Sequence, residues 1–186
     1  MKGVVYLTNG KSFEGKISIN KGSFVSNPVK VYAEGDKKPM QFDLRDVKAY
    51  EINGDYYALK EIKGGVIIGH RYSFMERLTP ENSRIHLYEN VEKVTTRTRY
   101  GTTTHYETEY YMELPGTDDD NVWAVNSSKF VPNFDEKMSK LLSDCPMLAR
   151  KIANQEEGYF YRQISMFKEK RANVLLNIIE EYNRCR

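Results

Sequence analysis

Three ionisable side chains at alternate positions near the middle of the chain are the first candidates for chemistry. His105, Glu107 and Glu109 are each separated by one residue, and alternate residues of a β-strand point to the same face. An imidazole and two carboxylates placed in this way could hold a divalent metal ion. Arg97 and Arg99 lie on the neighbouring predicted strand and are expected to pair with the same carboxylates. We therefore predict a solvated, salt-bridged face and no metal site.

Two other stretches match ligand-binding loops only in part. Residues 118–120 are three consecutive aspartates, but the alternating ligands and the distant bidentate glutamate of an EF-hand are missing. Gly64, Gly65 and Gly69 are not followed by the Lys-Ser or Lys-Thr pair of a phosphate-binding loop. We predict an exposed turn for the first stretch and an ordinary loop for the second, and no cofactor.

Side chains that could form a hydrolytic site are not grouped in the sequence. His70 and His86 have no neighbouring residue that suggests a nucleophile or a base, and the serines and cysteines lack the local signatures of hydrolases. Catalytic triads, however, are assembled in space from distant residues. A hydrolase-like enzyme of the cell envelope, with a site that forms only in the fold, is therefore the alternative to a binding or structural function.

Two cysteines, Cys145 and Cys185, bracket a predicted helical segment. In a reducing compartment they would be two buried thiols. In an oxidising compartment they could join the last helix to the helix that begins at Pro146. Closing a loop of about 40 residues in this way would stabilise the fold by roughly 4 kcal/mol. The composition does not decide between these two states.

The first candidates belong to a long predicted hairpin, residues 84–114. In its second half the even positions become apolar towards Met112 and Leu114, a period-two pattern typical of a half-buried strand. We predict that Gly101 lies in the turn with a positive φ. A register that pairs even residues with even residues is expected, because opposite residues share a face. The apolar positions change parity near residues 92–93, which predicts a β-bulge there.

Further strands are predicted before and after this hairpin. The Asn-Gly pairs at residues 9–10 and 53–54 are strong signals for hairpin turns. Apolar alternation between such turn signals defines each strand. The predicted strands cover residues 3–7, 12–19, 29–33, 41–52, 56–62, 72–78 and 122–126.

Helical spacing begins at about Asn133, and Pro146 takes the favoured first position of a second helix. A third, amphipathic helix is predicted over about residues 161–183, with a break near residues 169–172 as an option. Strands followed by helices predict an α+β, mainly β protein. We expect a twisted antiparallel sheet or a partly closed barrel over residues 1–132. A C-terminal helical segment, residues 133–186, would pack on it or beside it.

The charge balance argues against a basic surface that would bind nucleic acid. The chain has 28 Lys and Arg against 26 Asp and Glu, a formal net charge of +2 with the signs interspersed. No stretch approaches the roughly 20 apolar residues of a transmembrane helix, and residues 1–8 are too short an apolar run for a signal peptide. The sequence therefore predicts either a cytoplasmic protein or an exported one whose signal has been removed.

Fourteen tyrosines among 186 residues is a high tyrosine content. Tyrosine favours strands and half-wet surfaces, because its ring is buried while its hydroxyl stays solvated. This composition predicts a β-rich domain with amphipathic faces, and the alternative is an aromatic recognition surface. The candidate contact surface consists of Tyr100, Tyr106, Tyr110, Tyr111, Arg97 and Arg99.

Several short segments together resemble a family of uncharacterised bacterial proteins that begin with a signal peptide. They are KGVVYLTNGKSFEGKI, FMERLTPENSRIHLYEN, YYMEL, LLSDCPMLARKI and IIEEYNRC. The resemblance implies a periplasmic or extracellular protein and a disulfide between Cys145 and Cys185, and it implies no activity. We therefore predict an extracytoplasmic interaction or structural domain, whose hairpin contacts a partner protein, a glycan or a second copy of the chain. A cytoplasmic location is the alternative.

Overall fold

The protein is mainly β: in the part of the chain that the structure describes, ten strands form one mixed sheet, part of which closes into a ring, and three helices follow. A computed structural model describes residues 2–19, 28–63, 71–114, 121–161 and 168–185. Its strands are β1 Lys2–Leu7, β2 Ser12–Ser18, β3 Val29–Tyr32, β4 Met40–Phe42, β5 Val47–Ile52, β6 Asp55–Lys63, β7 Arg71–Arg77, β8 Leu87–Thr98, β9 Gly101–Met112 and β10 Asn121–Ala124. The helices are α1 Phe134–Leu141, α2 Pro146–Ala153 and α3 Lys168–Arg184. The predicted loop at Gly64, Gly65 and Gly69, the residue His70 and the predicted turn at residues 118–120 lie outside the described ranges.

The first five strands form an antiparallel unit with its own apolar core. β1 pairs with both β2 and β5, and the chain continues through β3 to β4 at the outer edge. Gly3 and Gly15 lie opposite each other in β1 and β2. A Cβ atom on Gly15 would lie 2.3 Å from the carbonyl oxygen of Tyr32, so only glycine permits this close approach of the strands.

Strands β6 to β10 close the ring. One edge of β6 is shared: residues 55–58 pair with β5, and residues 61–63 pair in parallel with β10. β10 also pairs antiparallel with β9, so that β6, β7, β8, β9 and β10 form a circuit. Each ring strand contributes one residue to a small interior core, which consists of Ala58, Met75, Tyr88, Tyr111 and Val122. The predicted antiparallel sheet is thus correct for every pairing except the parallel one that closes the ring.

The helices cover the outer side of the ring at β8 and β9. Their core includes Leu87 and Met112 from the hairpin together with Leu175, Ile178 and Ile179 from α3. The apolar stripe predicted for the last helix is therefore buried as expected. Tyr161 is not helical, and α3 is continuous from Lys168 to Arg184, without the suggested break. The intervening residues 162–167 are not among those described.

The hairpin register differs from the predicted one. Thr98 pairs with Gly101, so the loop has two residues and even residues of β8 lie opposite odd residues of β9. Gly101 closes the turn with a φ of 138°, the positive value predicted. Pairing continues without interruption from Leu87 to Thr98, so the predicted bulge near residues 92–93 is wrong. The parity change arises because both faces are covered at the base of the hairpin, where Leu87 faces the helices and Tyr88 faces the ring interior.

Candidate functional site

The outer part of the hairpin, residues 91–108, stands clear of the body, and we call it the arm. β7 pairs with β8 only at Glu89 and Tyr88, and β10 pairs with β9 only near Tyr111 and Met112. Every residue from 95 to 107 is exposed, although the two strands alternate their faces. Eight residues of β8 at about 3.3 Å each give the arm a length of roughly 26 Å. Both faces and both edges of the arm therefore meet solvent in the described structure.

The observed register gives the arm two chemically different faces. On the side that continues the helix-covered face, Lys93 lies opposite Tyr106 and Arg97 lies opposite Thr102. Tyr106 is 71% exposed there. The other side carries Glu92 opposite Glu107 and Val94 opposite His105. The predicted pairing of Arg97 with the carboxylates of β9 is wrong, because opposite residues share a face and Arg97 lies on the face away from them.

The tip adds a second aromatic side chain. Tyr100 is 83% exposed, and the guanidinium carbon of Arg99 lies 4.7 Å from the centre of its ring. The backbone N–H of Tyr100 donates to the hydroxyl of Thr98, which holds the two-residue loop in place. Tyr100, Arg97 and Arg99 are thus exposed together at the outer end of the arm, and Tyr106 is exposed in its inner half.

Two residues of the predicted contact surface are buried instead. Tyr110 belongs to the core beneath the helices, and Tyr111 belongs to the ring interior. Both lie at the base of the hairpin, where β8 and β9 are covered on both sides. Tyr110 and Tyr111 therefore anchor the arm, and they are not available to a partner in this fold.

The residues first considered as metal ligands make ordinary contacts. His105 Nε2 lies 2.9 Å from Glu107 Oε1 on an exposed face. Glu109 accepts a hydrogen bond from the hydroxyl of Tyr111 at 2.8 Å. Within the described ranges, no group of three or more His, Cys, Asp or Glu side chains comes together as a metal site would require.

A cluster of ionisable side chains occupies the ring interior, and sequence reasoning missed it. Lys60 Nζ lies 2.9 Å from Glu113 Oε2, and the Tyr88 hydroxyl donates to the same oxygen at 2.9 Å. Burial, together with the charge of Glu113, raises the pKa of Tyr88. Lys60 is only 6% exposed, so these buried contacts join β6 and β8 to Glu113, the residue that follows β9. The available signal was the position of Lys60 between Ala58 and Ile62, apolar residues that share its face of β6.

His86 lies beside this cluster. Its Nδ1 is 3.1 Å from the hydroxyl of Thr79, and that hydroxyl also accepts a hydrogen bond from the backbone N–H of Leu87. Burial lowers the pKa of His86, and the nearby charges of Arg77 and Lys60 act in the same direction. Although His86 and Thr79 form a base–hydroxyl pair, Thr79 is buried and already bonded to the backbone. The pair therefore positions the start of β8.

The disulfide that the resemblance implies is present. Cys145 and Cys185 are bonded, with their Cα atoms 5.8 Å apart, because α2 begins where α3 ends. Arg84 ties the hairpin to this site: its guanidinium donates to the carbonyl of Cys185 and bonds Asp144 at 2.5 Å. It also lies 3.8 Å from the centre of the Tyr182 ring. Three of the segments that carry the family resemblance thus meet around the disulfide.

The described surface also has open depressions. One, of about 340 Å³, brings three lysines together, and one of about 50 Å³ lies where the arm leaves the body. The larger depression is lined by Ser128, Lys129, Phe130, Lys137, Lys140 and Leu141. Its lining includes no carboxylate or imidazole that could act as a base.

Comparison with known proteins gives no relative. No protein-family model, no curated protein and no solved structure matches this chain. No helix in the described ranges is both long enough and apolar enough to cross a membrane.

Proposed function

We propose that the protein is an extracytoplasmic binding module whose arm contacts a partner protein. The observation that carries this proposal is the exposure of every residue from 95 to 107 on a hairpin that is fixed at its base. Two strands that pair only with each other are marginally stable in water. A long exposed hairpin therefore contributes little to the fold itself and is suited to reach another molecule.

The arm has the composition of a protein contact surface. Tyr and Arg are enriched where binding energy concentrates in interfaces. Tyr100 and Tyr106 are highly exposed, Arg99 lies over the Tyr100 ring, and Arg97 lies opposite Thr102 near the tip. Tyr110 and Tyr111 hold the base in two separate cores. A contact element that is already ordered loses less conformational freedom when it binds.

The compartment is inferred from the disulfide and from the family resemblance. Disulfides persist in oxidising compartments and are rare in the cytosol. The Cys145–Cys185 bond joins the two ends of the helical segment. The resemblance to exported bacterial proteins points in the same direction. We therefore place the binding module outside the cytoplasm.

A photo-crosslinking experiment tests the arm as the contact element. A benzoylphenylalanine residue would replace Tyr106 in one variant and Met147 in the other, and both would be expressed in the native host. Met147 is 65% exposed at the start of α2, away from the arm, and is the matched control. We expect an adduct from position 106 in the extracytoplasmic fraction and none from position 147. No adduct from position 106, or equal yields from both, would contradict the proposal.

A further inference from the structure

The two edges of the arm differ in their protection against strand pairing. On β8, the free stretch carries Glu92, Lys93 and Arg97. Natural sheets place such charges on edge strands to prevent association. On β9, residues 101–106 contain no Lys, Arg, Asp, Glu or Pro, and Glu107 near the base is the one such residue of this strand in the arm. The arm is therefore guarded on its β8 edge and open to pairing on its β9 edge.

The backbone of β9 presents its even-numbered residues to that open edge. The N–H of Val125 donates to the carbonyl of Tyr110, so this carbonyl points away from β8. The N–H of Glu113 donates to the carbonyl of His86, so odd residues point towards β8. Because this direction alternates along an antiparallel strand, Thr102, Thr104 and Tyr106 direct both N–H and C=O outwards.

β10 limits how another strand can lie on this edge. Val125 already occupies the place beside Tyr110. A strand related to β9 by a two-fold axis at Thr104 would place Gly101 of the second copy opposite Glu107 and would end before Tyr110. An axis nearer to Tyr110 would make the tip of the second copy collide with Val125. An axis nearer to the tip would shorten the paired segment.

We infer that the partner of the arm is a second copy of this chain, paired through antiparallel β9 strands about Thr104. This inference rests on the proposed role of the arm in binding. Pairing Thr104 with Thr104, and Thr102 with Tyr106, would form six backbone hydrogen bonds across the axis. These bonds satisfy the groups that β9 leaves open to solvent.

The side chains also match in this register. Tyr106 of one copy lies beside Thr102 of the other, an aromatic and β-branched pair of the kind that stabilises antiparallel sheets. His105 lies opposite Thr103, and Glu107 lies opposite Gly101, so no like charges face each other. The same contact would cover the exposed ring of Tyr106 and the unprotected edge of β9.

Sedimentation of the purified protein over a concentration series tests the association. We expect the wild-type chain to self-associate and Thr104→Lys to remain monomeric, because two lysines would then meet on the axis. Thr96→Lys is the matched control, since it puts the same charge at an exposed position of β8, the strand that the inferred pairing does not use. It should associate like the wild type. Equal behaviour of the two variants would overturn the inferred edge.

Cysteine cross-linking tests the register. Because Cys145 and Cys185 are bonded to each other, an added cysteine would be the free thiol. Opposite residues in this pairing have Cα atoms about 5.5 Å apart, within the range of a disulfide. We expect Thr104→Cys to form a covalent dimer under mild oxidation and Thr96→Cys to form none. Thr102→Cys and Tyr106→Cys should form more covalent dimer when the two variants are mixed than when either is oxidised alone.

These outcomes separate this inference from the proposed binding function. A wild-type chain that stays monomeric at the highest concentration, with a crosslink from position 106 to a different protein, overturns self-pairing and supports the binding module. A monomeric chain without any crosslink from position 106 contradicts both. Dimers that form equally with Thr104→Lys would show that another surface associates.

Discussion

At the scale of residues, at least six of the fourteen tyrosines donate a hydrogen bond to a carboxylate. A phenol can bury its ring and still satisfy a carboxylate that would otherwise be costly to desolvate. This pairing recurs in the sheet and in the helical segment. It joins Tyr6 to Glu51, Tyr57 to Glu76, Tyr88 to Glu113, Tyr111 to Glu109, Tyr159 to Glu181 and Tyr182 to Asp144. The high tyrosine content thus serves the fold, and only Tyr100 and Tyr106 are strongly exposed.

The buried ion pair between Lys60 and Glu113 can be tested with the substitution Lys60→Met. The substitution leaves the Glu113 carboxylate without its cation in a place with little access to water. We expect the free energy of unfolding in urea to fall by about 3 kcal/mol, as when one member of a buried ion pair is removed. The double variant Lys60→Met, Glu113→Gln should recover most of this loss. A loss well below 1 kcal/mol for the single variant would show that the pair is not effectively buried.

His86 gives a prediction about pH. Its pKa in the folded protein is lowered from 6.5 by burial, with Arg77 and Lys60 adding to the effect and Glu113 and Glu81 opposing it. The unfolded chain therefore binds more protons just below pH 6.5, so stability is fully present above that value and decreases as the pH falls.

Melting temperatures between about pH 5 and pH 7.5 measure this dependence. We expect His86→Gln to remove part of the decrease seen in the wild type at the acidic end. The control His105→Gln changes a ring on the exposed arm and should retain the full decrease. The same slope in all three proteins would exclude His86 as its source.

At the scale of elements, α3 is the part of the helical segment that attaches most directly to the hairpin. Ile178 and Ile179 are buried in the core that also holds Leu87 and Met112 of the hairpin. Outside that core, Lys151 and Glu181 join α2 to α3, with 2.9 Å between the ammonium and the carboxylate. The helices therefore act as a cover that keeps the base of the arm in place.

Ile178→Asp tests this attachment. The substitution removes an apolar contact and buries a charge without a partner, so the protein should lose several kcal/mol of stability, on the order of 3–5. Urea unfolding with far-ultraviolet circular dichroism is the measurement. Glu180→Asp, on the exposed side of the same helix, is the control and should change little. An unchanged midpoint for Ile178→Asp would mean that this stripe is not part of the core.

The strands were predictable from the sequence because apolar alternation and Asn-Gly turns are local signals. The register of β8 and β9 was not, because both faces of the arm are exposed and a two-residue loop, not a buried face, sets the pairing. Tyr110 and Tyr111 were wrongly assigned to the contact surface. Both faces of the sheet are covered at the base of the hairpin, so the sequence there does not alternate between apolar and polar residues. The Lys60–Glu113 contact and the β10–β6 pairing join distant parts of the chain. No local pattern marks such contacts.

At the scale of the whole molecule, the disulfide and the Arg84 contacts fix the far end of α3 against the start of β8. The bond between Cys145 and Cys185 closes a loop with a sequence separation of 40 residues. Arg84 donates to the carbonyls of Tyr182 and Cys185 at the end of α3, where backbone carbonyls lack partners from a following helical turn. Helices, hairpin and ring are therefore held as one unit.

Reduction of the disulfide tests its contribution. The unreduced chain should have a mass lower by two hydrogen atoms and should resist alkylation under denaturing conditions. The variant Cys145→Ser, Cys185→Ser should unfold with up to about 4 kcal/mol less free energy, as the closure of such a loop implies. A reductant should lower the melting temperature of the wild type and leave the variant unchanged. Two freely alkylated thiols in exported material would contradict both the bond and the inferred compartment.

The parallel pairing of β10 with β6 has a consequence for folding kinetics. It joins Asn121 to Glu61, sixty residues earlier in the chain. Contacts of such sequence separation form slowly, because the chain between them must be ordered first. Until β10 docks, β9 exposes its whole outer edge, including the stretch beside Tyr111 that β10 later covers. The docking of a strand of four residues, Asn121–Ala124, is therefore the step that covers this stretch of the β9 edge.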